Sequence, residues 1–206
     1  LGWIGTEALA ALGFAFPVTI TLFAFAGGIG TGASSVIARS LGSGDGERAA
    51  LLVTHAQLLV LVVGSVIGLL GFWYAEMVIT ALGATGQVRE MAAEYLTVYM
   101  LGFPLFMLSM VGSTLLRATG RAASPGIVMT TGSVLQMAFG PVLIFGWFGL
   151  PALGIAGAAW AYVLSRVFSV SIYLALLVRA RMIRRSMKGF WQSFVAIVHV
   201  GGPATA

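Results

Sequence analysis

Charge is scarce in this sequence: 8% of its 206 residues are Asp, Glu, Lys or Arg, where a soluble domain carries about 25%. With 59% hydrophobic residues and a mean hydropathy of +1.02, too little polar surface is left to cover a core in water, and the chain reads as a membrane protein. Cysteine is absent, which excludes disulfides and thiolate metal sites. The six acids all fall outside the middle of apolar runs. A membrane-embedded enzyme would need paired acids, a histidine–acid set or a Ser/Lys pair at depth, and no such set is present, so the protein is not read as an enzyme and no cofactor is called for. The two histidines, His55 and His199, lie too far apart in sequence to suggest a metal site. His55, near a helix start, is either a pH sensor or an interfacial residue.

What is present is long apolar runs. A spanning helix needs about 20 such residues, because lipid offers no partners to exposed backbone groups. Five stretches qualify, over 9–38, 51–73, 92–116, 125–147 and 155–178, and a sixth begins near Phe190. The connections between them are rich in Gly, Ser, Asp and Pro, as loops are. The expected fold class is an all-α, polytopic transmembrane helical bundle. The chain opens on Leu1 and closes on the apolar "VGGPATA", so it reads as an internal piece of a longer protein.

Basic residues give the orientation. The net charge of +5 would suit nucleic acid, but five of the eleven basic residues form one run, Arg179, Arg181, Arg184, Arg185 and Lys188. Membrane topology explains such a run without DNA. Arg39 and Arg48 flank the first connection, Arg117 and Arg121 lie at the third, and the run forms the fifth. By the positive-inside rule the odd-numbered connections are cytoplasmic. Trp73, Tyr74 and Trp147 fit an outer aromatic belt, and Trp191 an inner one.

Gly28, Gly30 and Ala33 fit the G-x-G-x-x-G/A pattern of a dinucleotide turn. That turn must follow a buried strand, whereas Gly28 follows an apolar run of spanning length containing Pro17. In lipid, Gly28 and Gly32 instead make a small-x-x-x-small pair, which lets helix backbones approach closely, and Gly64 with Gly68 repeats the device. The cluster reads as a helix-packing face.

Several stretches together resemble one family. "IGTEALAALGFAFP" (4–17) followed by "GIGTGASSVIARSLGSGD" (28–45) is similar to the second helix and following loop of MATE (multidrug and toxic compound extrusion) transporters. "EYLTVYMLGFPLFMLSMVGSTLLRATG" (94–120) resembles their fourth helix, "PVLIFGWFGLPALGIAGAAWAYVLSR" (141–166) their fifth-to-sixth passage, and "VGGPATA" the opening of their seventh. The resemblance implies part of a two-lobe, twelve-helix transporter: residues 1–189 as a first-lobe bundle lacking helix one, and 190–206 as the start of the second lobe. It further implies transport by rocking about a central cavity, with H+ or Na+ as the coupling ion. The implied partners are a small-molecule substrate, the lipid bilayer and the second lobe, with no nucleic acid. The implied location is the bacterial inner membrane. The five helices alone are not expected to transport.

In many members of that family the fifth helix carries Asn and Asp four residues apart before a proline that aligns with Pro141. Here those positions are Gln136 and Gly140. A coupling carboxylate, if one is used, would then lie outside these residues. Gln136 is a substrate-cavity candidate, or an interhelical hydrogen bond. Tyr162 and Met137 are further cavity candidates, with plain packing as the alternative. Arg166 sits inside a helix and should face protein or water and have a partner, either for gating and substrate contact or as a structural pair. Pro17, Pro104 and Pro141 are kink or hinge candidates. The expected function is a secondary active antiporter exporting lipophilic, often cationic compounds. The alternatives are a lipid-linked saccharide flippase of the same superfamily and a structural membrane module.

Overall fold

The computed structural model describes residues 5–118, 120, 123–149, 151–184 and 189–201. Seven α-helices lie among these residues, in chain order: α1 (Thr6–Gly42), α2 (Gly46–Ala81), α3 (Gly86–Leu101), α4 (Phe103–Ala118), α5 (Ala123–Phe145), α6 (Gly154–Arg179) and α7 (Phe190–Gly201). A 3-10 turn, Trp147–Gly149, follows α5. No strand occurs among the described residues. The glycine cluster therefore lies inside α1, where Gly28, Gly30 and Gly32 are buried.

Four helices, α1, α2, α5 and α6, are long and apolar enough to cross a membrane, and α3 with α4 forms a fifth span bent by 55°. α1 has 37 residues. At about 1.5 Å per residue such a helix outreaches a ~30 Å hydrocarbon core, so its ends project beyond the lipid. The apolar surface left uncovered is large: Trp73, Met77, Leu69, Ile127 and Met137 are all more than half exposed. Such a surface suits acyl chains or further protein rather than water. Threonine and serine hydroxyls inside the helices mostly bond back to their own helix, as Thr21 does to the Pro17 carbonyl at 2.8 Å and Ser169 to Ser165 at 2.9 Å. Such back-bonding satisfies a polar side chain where no water is available.

The sequence predicts one span over 92–116 with Pro104 as a kink candidate, and the chain forms two helices meeting at Gly102. The cause is Pro104, the second residue of α4, which has no N–H to offer the Met100 carbonyl four residues back. That carbonyl lies against α2 instead. A Cβ added at Gly68 would stand 2.7 Å from it, and one at Gly64 would stand 3.0 Å from the Pro104 Cα. The two α2 glycines thus form the seat of the bend. On its other side, a Cβ at Gly102 would stand 2.7 Å from Val163 Cγ2 of α6.

The turn after α1 is closed by Asp45, whose carboxylate accepts the Arg48 backbone N–H at 2.9 Å and caps α2; such a cap contributes about 0.5–2 kcal/mol. The linker to α7 docks at the same end. The Arg184 N–H donates to Thr54 Oγ1 at 2.9 Å, and its guanidinium lies 3.4 Å from Glu47. His55, buried in α2, meets Ser193 of α7 through Nδ1 at 2.9 Å, with the Phe190 ring edge-on at 5.4 Å. Of the basic residues used to orient the chain, Arg121, Arg185 and Lys188 lie outside the described residues, as do residues 202–206.

Candidate substrate cavity

Space is left inside the bundle beside α4. Between α1, α4, α5 and α6 lies a cavity of about 290 Å³. Its apolar wall includes Phe23, Phe106, Met110 and Val128, and its polar side Ser109, Arg117 and Arg166. A second cavity of about 270 Å³ adjoins it, lined by Phe16, Thr19, Ile20, Tyr99 and Tyr162. Phe23 and Phe106 line both. Their rings are 6.0 Å apart and tilted by 39°, so this pair forms the partition.

An aromatic column runs into the partition. Tyr95 stacks on Tyr99 at 6.2 Å, Tyr99 on Tyr162 at 4.8 Å, and Tyr162 meets Phe106 at 6.3 Å. One turn after Tyr162 on α6, the Arg166 guanidinium carbon lies over the Tyr162 ring, 5.1 Å from its centroid. That is cation–π range. The Arg166 Nε is buried with no hydrogen-bond partner, and so is Ser109 Oγ. All six acids of the chain are exposed, and none lines either cavity. Among the described residues no three His, Asp or Glu side chains gather as metal ligands would.

The sequence-level candidates are distributed unevenly over this geometry. Arg166 lines the first cavity and Tyr162 the second. Gln136 is half-buried on α5 and Met137 is 77% exposed; neither lines these cavities. Pro17 and Pro141 lie within α1 and α5, and Pro104 at the bend.

Tyr173, Gln57 and the Phe23–Phe106 pair were not singled out by the sequence. Tyr173 lines the first cavity, and its hydroxyl accepts a hydrogen bond from Gln57 Nε2 at 3.0 Å. The Gln57 signal was available, since it is an amide within an apolar run, as Gln136 is. Nothing distinguishes Phe23 or Phe106 from other phenylalanines until the helices are packed.

Comparison with known proteins agrees with this architecture. Residues 1–142 match the family described as MatE. Over 98% of its length the chain is 34% identical to a protein named FAD transporter from Shewanella oneidensis, covering 45% of that protein. It is 30% identical to the probable multidrug resistance protein YoeA of Bacillus subtilis, again over 98% of this chain and 45% of that protein. Among solved structures, MATE in the bent conformation superposes with a TM-score of 0.90 at 30% identity, over 100% of this chain and 46% of the other. An outward-facing multidrug resistance MATE family transporter superposes with a TM-score of 0.88 at 31% identity, over 100% and 46%. The chain thus spans about half the length of the relatives it matches. Its helical order, its bent span and these matches agree: the chain belongs to the MatE family of multi-pass membrane transporters, which are not enzymes.

Proposed function

We propose that the complete protein is a secondary active antiporter that exports lipophilic drugs and toxic compounds by alternating access, with H+ or Na+ as the exchanged ion. Residues 1–189 act as most of its first lobe, and α7 leads into the second. The observation that carries this reading is the cavity among α1, α4, α5 and α6, walled by aromatic and thioether side chains within a bundle too apolar for water. A cavity of this kind binds by burying apolar surface, with a few polar groups orienting the cargo. Tyr162 and Arg166 are the lining residues assigned to cargo contact. Gln136 and Met137 are assigned to the face that meets the rest of the protein.

Gly28 and Gly32 serve close helix contact in α1, as Gly64 and Gly68 do in α2. Pro17, Pro104 and Pro141 are the points at which the lobe flexes, because each removes one backbone hydrogen bond from its helix. If coupling uses a carboxylate, that acid lies outside these residues, a reading that the exposure of all six acids supports. The docking of the α6–α7 linker beside the α1–α2 turn supports one common side for these two basic connections, which we read as the cytoplasmic side of a bacterial inner membrane.

The relatives' names point to different cargoes, drugs for some and FAD, a polyanionic flavin, for another. The lipophilic half of the expected cargo suits the cavity wall; the cationic half does not suit Arg166. The reading is tested in everted vesicles bearing the complete protein. Uptake of fluorescent aromatic dyes should rise when an H+ or Na+ gradient is imposed and collapse when it is dissipated. Uptake indifferent to both gradients would sink the antiport mechanism.

A further inference from the structure

We infer that Arg166 is the anion-recognising residue of the α1/α4/α5/α6 cavity, and that the cargo is an aromatic compound carrying negative charge. That the bound compound is cargo rests on the exporter reading above; that it is an anion rests on the cavity alone.

Arginine side chains do not shed their charge inside proteins, and their fork of donors suits carboxylate and phosphate. A guanidinium at membrane depth therefore requires compensation. The Tyr162 ring supplies part of it, 5.1 Å from the guanidinium carbon. A carboxylate would supply the rest, but every acid in the chain is exposed and none lines the cavity. The Nε donor is buried and unpaired. Leaving such a donor unsatisfied is unfavourable, and more so when the group is charged.

The surroundings repeat the same polarity. Ser109, on the same lining, also has a buried hydroxyl without a partner. The Ser113 and Thr114 hydroxyls on the lining donate to their own helix, to Met110 at 2.7 Å and Val111 at 2.6 Å. The two uncommitted lining groups, Arg166 Nε and Ser109 Oγ, can therefore both donate to an acceptor. Exposed Arg117 lines the same space and adds a second positive charge. A cationic cargo would meet two guanidiniums and no carboxylate, with Tyr162 already engaged by Tyr99 and Arg166. An anion would complete Arg166, while its ring system would lie against Phe23, Phe106 and Tyr173.

The test is equilibrium binding to the purified complete protein in detergent, read by fluorescence anisotropy. The probes are fluorescein, an anionic xanthene, and a rhodamine cation with the same ring system. The wild type should bind fluorescein at least tenfold more tightly than the rhodamine. Arg166→Gln should erase that preference, Arg166→Lys should retain part of it, and Ser109→Ala should weaken fluorescein alone by about threefold. Equal binding of the two probes, tighter rhodamine binding, or a preference unchanged in a folded Arg166→Gln would overturn the inference. So would fluorescein binding lost equally in Arg166→Lys and Arg166→Gln, which would mark Arg166 as a structural pair with a residue elsewhere in the protein. Transport is read separately: fluorescein that binds with the expected preference but never moves under any gradient leaves the anion site standing and removes the exporter.

Discussion

The Gln57 amide donates a hydrogen bond to the Tyr173 hydroxyl across 3.0 Å, tying α2 to α6 at a point where both side chains are buried. The Tyr173 ring fills the space that Gly112 leaves in α4, where a Cβ would overlap its ring carbons. Three helices are thus registered by one aromatic side chain. Interhelical hydrogen bonds in membranes contribute about 0.6 kcal/mol on average and up to about 1.7, whereas overpacking costs about 1–3 kcal/mol. Gly112→Ala should therefore lower the melting temperature in detergent more than Tyr173→Phe does. The reverse order would mean that the hydrogen bond, not the fit of the ring, sets the register.

Glycines in this fold should divide sharply. At Gly68 a methyl group would press on the Met100 carbonyl, while at Gly126 it would meet nothing within 4 Å. Gly68→Ala should destabilise by roughly 1–3 kcal/mol, and Gly126→Ala should be neutral or stabilise by up to about 1 kcal/mol through helix propensity. Thermal melts of the two variants side by side check this, and equal effects would argue against the seat of the bend described above.

The linker and α7 are held by bonds of unequal weight. The Arg184–Glu47 pair is at the surface, with side chains 52% and 86% exposed; such pairs contribute about 0–1 kcal/mol. His55 is buried and bonds across to Ser193. Hydrogen–deuterium exchange should show faster uptake over 190–201 in His55→Ala, with α5 and α6 unchanged, and little change anywhere in Glu47→Gln. Uniform loosening in His55→Ala would show that His55 supports the whole bundle instead.

These 206 residues hold no cysteine, so in the complete protein, with any cysteine outside them replaced by serine, a single introduced cysteine reports topology. Ser43→Cys, in the α1–α2 turn, and Gln87→Cys, at the start of α3, sit at opposite ends of α2. A membrane-impermeant maleimide applied to intact cells should label Gln87→Cys at once and Ser43→Cys only after lysis. The opposite pattern would invert the orientation expected from Arg39, Arg48 and the basic run.

Phe106 tests the partition between the cavities. Phe106→Ala should join them and admit bulkier dyes in vesicle uptake, at a stability cost of about 3–5 kcal/mol for a buried phenylalanine. An unchanged size limit would show that cargo does not pass this pair.

Five spans, an all-helical bundle and membership of a transporter family were legible before any coordinates. Lipid forces every backbone group into a helix, so apolar length alone counts the spans, and no distant contact is needed to do it. The bend at Gly102 was half legible: Pro104 marks where the hydrogen bond must break, but the 55° angle depends on α2 offering Gly64 and Gly68 as its seat. Arg166 stood out because charge in an apolar run is rare, and its need for a partner could be stated from that alone. Which partner it has was a tertiary matter. The stacking of Tyr162 on Tyr99, the partition made by Phe23 and Phe106, and the pairing of Gln57 with Tyr173 join residues 63 to 116 positions apart. Span length is a local quantity that each stretch sets for itself. A cavity exists only where several helices converge, and its chemistry depends on which faces they turn toward one another.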